Sequence, residues 1–157
     1  MADVISTEIR QLTLNKQRVY VSVITYNELI PDEDIISTIV ANAYQTVAEE
    51  LLNKADFETQ KSACLITNLC PIQAHLTKEA IETWYENATE DSLQTQRMLY
   101  QVFKRPTFSI VTLPGIDEMY VRKQESRINP NANPTHVVNS FDEAMELAQQ
   151  LMTVVHN

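Results

Sequence analysis

Both cysteines of the chain and one of its three histidines fall within twelve positions, in the stretch SACLITNLCPIQAHLTKEA, residues 62–80. Cys64, Cys70 and His75 are residue types that bind metals or exchange electrons, so spacing decides what they can do. Structural zinc sites draw on closely paired ligands such as C-x2-C together with a second pair. Here five residues separate the cysteines, four separate Cys70 from His75, and no second pair follows. A redox couple needs C-x-x-C or a neighbouring cation to lower a thiol pKa, and neither thiol has one beside it. Cys64 stands between Ala63 and Leu65, where a free cysteine behaves as a small hydrophobe. The stretch therefore reads as a buried strand running into a loop and a capped helix, with the cysteines as packing residues.

Other chemistries fare no better. His75, His136 and His156 are far apart, and His156 falls in what reads as a frayed tail. Gly115 is the sole glycine, so no G-x-S-x-G nucleophile elbow exists. For the same reason Walker and dinucleotide loops are excluded, since several glycines must let main-chain N–H groups approach phosphate. The acidic groups Asp32-Glu33-Asp34, Glu49-Glu50 and Glu90-Asp91 sit at helix ends or on exposed helix faces and read as solvated charge. DEDIIS lacks the glycine and terminal glutamate of a calcium loop. An aspartyl phosphoacceptor would sit at the end of the central strand, but that strand ends in Thr67-Asn68. No enzymatic activity, cofactor or metal is expected.

The whole chain sets the frame. Its 157 residues suit a single domain, 1–157, that buries about 70% of its unfolded surface. Aromatic content is 7%, so the core must be aliphatic and alanine-rich. A net charge of −9 argues against nucleic acid, whose binding is dominated by Lys and Arg, and against an anionic membrane surface. No basic-then-apolar leader opens the sequence and no stretch approaches a membrane span, so a cytoplasmic protein with reduced thiols is expected.

The elements follow from periodicity. EIRQLTLNKQRVYVSVITYN reads as two strands joined at Asn15-Lys16, because asparagine tolerates the positive φ of a tight turn. Val19, Val21 and Val23 fall on one face, with Tyr20, Ile24 and Tyr26 on the other, so the second strand is covered on both sides. Residues 31–54 read as a helix with an apolar stripe from Ile35 to Leu52. ACLITN is a strand. Residues 77–103 read as one broken helix or two, with Thr77 as the first cap. TFSIVTL is a strand stopped by Pro114-Gly115, IDEMYVRKQESRI a polar helix, NPNANP a loop and THVVN a short strand. Ser140 and Glu143 form a capping box that opens a last helix burying Ala144, Leu147, Ala148, Leu151 and Met152. The order β-β-α-β-α-β-α-β-α predicts an α/β fold: a mostly parallel sheet with an N-terminal β-hairpin and helices packed on it.

Two stretches carry a family likeness. ACLITNLCPIQAHLTKEAIETWY is a strand, a loop and a helix bearing a tryptophan, and THVVNSFDEAMELAQQL is a short strand leading into a capped helix. With the element order, they resemble the STAS family, the anti-sigma-factor-antagonist fold, and its STAS-like or CRAL-TRIO-like single-domain bacterial branch. The resemblance implies a regulatory module in a bacterial cytoplasm. It also implies a Ser or Thr, at the start of the helix after the third strand, that a partner kinase phosphorylates within Asp-Ser-Ser/Thr-Gly. The matching stretch here is Ala74-His75-Leu76-Thr77-Lys78. No Asp precedes the hydroxyl and no Gly follows it, so Thr77 is either that acceptor or simply a helix cap.

The reading is a non-catalytic protein-interaction module. Its candidate loop contains Thr67, Asn68, His75 and Thr77, and its partner is another protein or a second copy of the chain paired through the hairpin's edge. The alternative is a carrier of a small apolar ligand or lipid, with Tyr44, Trp84, Met98, Met119 and Met152 lining a pocket. An enzyme with an unrecognised site is the third reading.

Overall fold

A computed structural model describes residues 4–28, 33–80, 106–128 and 135–156. Five strands form one sheet in chain order: β1 (Ile5–Leu14), β2 (Gln17–Tyr26), β3 (Ala63–Asn68), β4 (Thr107–Thr112) and β5 (Thr135–Val138). β1 and β2 are antiparallel; β2, β3, β4 and β5 run parallel. The helices are α1 (Glu33–Leu52), α2 (Glu118–Ile128) and α3 (Phe141–Val155). The expected second helix starts at residues 78–80; the rest of it, Trp84 and Met98 included, and the NPNANP stretch lie outside the described residues.

The hairpin closes through Asn15 and Lys16, both at positive φ, 50° and 66°. Two such residues give the turn the twist that matches its strands. The register then runs unbroken from Leu14↔Gln17 to Ile5↔Tyr26. Gly115, at φ +79°, ends the turn after β4 where a side chain would be strained.

Parallel strands laid down in chain order step across the sheet in one direction. Right-handed crossovers then put α1 and α2 on the same face. α1 packs there on Tyr20, Ile24, Ala63 and Leu65 through Ala43, Tyr44, Val47 and Leu51. α2 joins that face further along, where Val121 meets Val111 and Val137. The opposite face, with Val19, Val21, Val23, Cys64, Ile66 and Ile110, is left for α3, which covers it with Ala144, Ala148 and Met152. The expected two-sided burial of β2 is thereby met.

Some side chains depart from the expected stripes. Leu52 is 68% exposed: it stands on the outward side of the last turn of α1, while its neighbour Leu51 packs on the sheet. Leu147 and Leu151 flank the α3 contact and are only partly buried. The cap of α3 forms as Ser140 Oγ accepts from the Glu143 N–H at 3.1 Å. The Glu143 carboxylate reaches one residue further back than a capping box requires, accepting from the Asn139 N–H at 2.9 Å.

His156 is not frayed. It is 8% exposed and uses both ring nitrogens: Nδ1 lies 2.8 Å from the Met152 carbonyl and Nε2 accepts from the Lys61 N–H at 3.1 Å. The geometry fixes the neutral ring with its proton on Nδ1. α3 is thus tied to the segment before β3.

That segment holds a second device. Below the point where β2 and β3 pair, buried Gln60 substitutes for a strand. Its Oε1 accepts from the Tyr20 N–H at 2.8 Å, and its Nε2 donates to the carbonyls of Tyr20 and Ser62 at 3.0 and 2.8 Å. Removing the amide leaves three main-chain groups, two on β2 and the Ser62 carbonyl just before β3, without this partner. Gln60→Ala is therefore expected to lower unfolding free energy by about 2–4 kcal/mol, well beyond an ordinary surface change. Urea denaturation followed by circular dichroism checks this.

Candidate functional site

In open α/β sheets, ligands and partners meet the carboxyl ends of the parallel strands. Here that edge is formed by the ends of β2, β3 and β4 and by the turn leaving β3. Asn68 closes β3 and organises it. Its Oδ1 accepts from the Cys70 N–H at 3.2 Å, a turn in which the side chain stands in for backbone. Thr112, at the end of β4 and 0% exposed, accepts from the Leu69 N–H at 2.8 Å and reaches Asn68 Oδ1 at 3.5 Å. Asn68 Nδ2 points to Thr25 Oγ1 of β2 at 3.4 Å. Three neighbouring strands thus contribute one polar side chain each, and together they fix the main chain at 69–70.

The sequence predicts a loop over 67–77. The structure instead forms a 3-10 turn over Cys70–His75, with Pro71 in its first turn and Ile72 buried as its anchor. Pro71 suits that place, since its ring presets φ and its missing N–H is not needed there. Gln73, Ala74 and His75 are exposed on the turn. Thr67, half-buried, lies in the row of side chains that faces α1 and α2, the opposite way from its neighbour Asn68. Thr67, Asn68, His75 and Thr77 thus share one end of the sheet, yet they do not converge on one point. Asn68 holds the turn, His75 is displayed by it, and Thr77 ends it. Thr77 Oγ1 accepts from the Ala80 N–H at 3.0 Å, the bond of a helix cap.

The thiols are separated by environment. Cys64 is buried, and burial pushes its thiol from the ordinary value near 9 up to about 12. A thiol held protonated is a poor nucleophile and a poor metal ligand. Cys70 is half-buried in the turn. Among the described residues, no group of three or more His, Cys, Asp or Glu side chains is placed to hold a metal ion, and no helix is long and apolar enough to cross a membrane.

A second polar cluster was not singled out from the sequence. Glu118 of α2 accepts from the Val137 N–H at 2.8 Å and pairs with Arg122 at 2.8 Å. Arg122 Nη2 lies 3.5 Å from His136 Nδ1. A guanidinium only donates, so that nitrogen is an unprotonated acceptor. Desolvation lowers the His136 pKa; the Glu118 charge opposes this and the Arg122 charge adds to it. The cluster covers the outer edge of β5. Its signal in the sequence was the Glu118–Arg122 spacing, one helical turn on a helix with little else to pair.

The residues considered for an apolar-ligand pocket are dispersed. Tyr44 belongs to the core under α1, Met152 to the core under α3 on the other side of the sheet, and Met119 is 66% exposed. A groove of about 400 Å³ opens elsewhere, between β1 and α1, lined by Ile5, Ser6, Thr7, Ile39, Asn42, Ala43 and Thr46. No known protein family, curated protein or solved structure matches the chain.

Two outcomes follow at this edge. Thr77→Ala should cost about 1 kcal/mol by removing the cap, while Thr77→Asp should retain stability because a carboxylate caps equally well; thermal melts of both variants test this. Burial raises the pKa of Cys64 above its unfolded value, and also raises that of Tyr26, to about 12. The unfolded chain therefore gives up these protons first. Their contribution to stability is complete below about pH 9 and is lost as pH rises towards about 12, at up to about 1.4 kcal/mol per pH unit for each group. Urea midpoints measured from pH 8 to pH 11 should fall, and Cys64→Ala should flatten the early part of the decline.

Proposed function

We propose that this protein is a non-catalytic interaction module whose binding element is the turn at Cys70–His75. The observation that carries this reading is the network of Asn68, Thr112 and Thr25. Its hydrogen bonds are made to one another and to the backbone of the turn, so they serve to hold a displayed surface. A pre-ordered exposed turn loses little entropy on binding, which favours recognition of a protein partner. The high thiol pKa of Cys64 agrees with a site without a nucleophile there.

The likeness to STAS-like proteins supports a regulatory role in the same sense. The hairpin followed by alternating helices and strands is the feature on which that likeness rests. Within this reading Thr77 works as the cap of the helix after the turn. The partner is another protein of a bacterial cytoplasm or a second copy of the chain; nucleic acid and membrane remain outside it, given the net charge of −9.

One observation favours a second reading, a carrier of a small apolar ligand: the groove beside β1 has the volume of a small-molecule site, although Ser6, Thr7, Asn42 and Thr46 make much of its wall polar. Native mass spectrometry of protein from its own source would detect such a ligand as added mass.

The interaction reading is tested by a photo-crosslinking residue placed at Gln73, with the same probe at exposed Gln149 on α3 as control. A single partner should be captured from Gln73 and not from Gln149, and Asn68→Ala, which loosens the turn, should cut the yield several-fold. Equal capture at both positions, or turnover of ester, phosphate or nucleotide substrates by the purified chain, would overturn the reading.

A further inference from the structure

We infer that two copies of this chain join through β1, edge to edge and antiparallel, to make one continuous sheet. The two edges of the sheet differ sharply. β5 has four residues, and Glu118 covers its outward Val137 N–H. β1 has ten residues paired with β2 without a bulge, and contains neither lysine nor proline. Those are the features by which proteins usually protect an edge from pairing.

The backbone fixes which residues of β1 are available. The Asn27 N–H donates to the Val4 carbonyl at 2.8 Å, so Val4 faces β2. Alternation along an antiparallel ladder turns the N–H and C=O of Ile5, Thr7, Ile9, Gln11 and Thr13 outwards. A two-fold axis at Ile9 places Ile9 against the second copy's Ile9, Thr7 against its Gln11 and Ile5 against its Thr13. This arrangement forms on the order of ten main-chain hydrogen bonds.

The side chains select that register. With Ile9 on the axis, Glu8 stands opposite Arg10 of the other copy, and Arg10 opposite Glu8. Slipping by two residues one way sets Glu8 against Glu8; the other way sets Arg10 against Arg10. Like charges directly opposite are unfavourable, so neighbouring registers are penalised. Slipping by one residue loses the match of outward backbone groups. Among the described residues, Glu8 and Arg10 form an ion pair with each other at 3.2 Å, both about half exposed, and the Arg10 guanidinium lies 5.1 Å over the Phe141 ring. On the other face, Gln11 and Thr13 of the partner come beside Thr7 and Ile5, at the mouth of the groove between β1 and α1, whose polar wall suits them. The contact is isologous and closes at two copies, since β5 is only four residues long and Glu118 occupies its outward Val137 N–H.

Sedimentation equilibrium of the intact chain tests the pairing, together with three variants. The wild type should be a dimer. Glu8→Arg and Arg10→Glu each place like charges opposite and should weaken self-association at least about tenfold. An equimolar mixture of these two variants restores both opposite-charge pairs and should give a heterodimer. Gln11→Pro removes only an outward N–H, so it should leave the far-ultraviolet spectrum intact and abolish the dimer. A wild type that stays monomeric, a dimer that survives Gln11→Pro, or charge variants that associate as well alone as when mixed would each overturn the inference.

Discussion

β2 must be dry on both sides, and most of the architecture follows from that requirement. Val19, Val21 and Val23 point one way and Tyr20, Ser22 and Ile24 the other, and all six are buried. A strand with two buried faces needs a layer of helix above and another below. It also needs a neighbour on each side, because backbone groups out of reach of water must find partners. β1 supplies one neighbour through the tight turn. β3 supplies the other only from Ser22 onwards, and Gln60 extends the same pairing to Tyr20 with a side chain in place of a strand. The two helix layers then arise by different routes. The crossover rule stacks α1 and α2 on one face, and α3, which follows β5, packs on the other.

Elements whose periodicity was strong were legible in the sequence. The alternation in β2, the Asn15-Lys16 turn and the Ser140 cap each express a local rule and appear where that rule puts them, as does the α1 stripe from Val40 to Leu51; the side chains of Ile35 and Ile36 lie outside those described. The departures are tertiary in origin. Nothing near Gln60 announces that its amide will pair with a strand forty residues away in sequence. His156 looks like a tail residue until Lys61, ninety-five residues earlier, offers an N–H. Asn68 is legible as the end of a strand and part of the candidate loop, but its contacts with Thr25, Thr112 and Cys70, which define the turn beyond it, depend on neighbouring strands. Thr112 could not have been found at all, since its part depends on β4 lying beside β3.

The polar residues divide the sheet's perimeter into regions with different behaviour. At the carboxyl edge, Asn68 and Thr112 spend their hydrogen bonds inwards and leave a fixed, displayed turn. Along β5, Glu118 is paired with Arg122 and accepts from the outward Val137 N–H, with His136 beside them. Along β1 the charges sit on the strand itself. The same few residue types therefore play different parts, according to whether they bond to the main chain of a turn, to the outward edge of a short strand or to each other along one strand.

The position of α3 has a consequence for how the chain is made. The valines of β2, together with Cys64, Ile66 and Ile110, form one apolar face, and Ala144, Ala148 and Met152 are the residues that cover it. On a ribosome, the strands emerge well before that helix. At about 5–20 residues per second, several seconds separate the synthesis of β2 from that of α3. For that interval the hairpin presents a wet apolar surface that the helices of the other layer cannot reach. Newborn chains would be most susceptible to aggregation or chaperone capture then, and the speed of translation between β2 and α3 would influence how many of them reach the folded state.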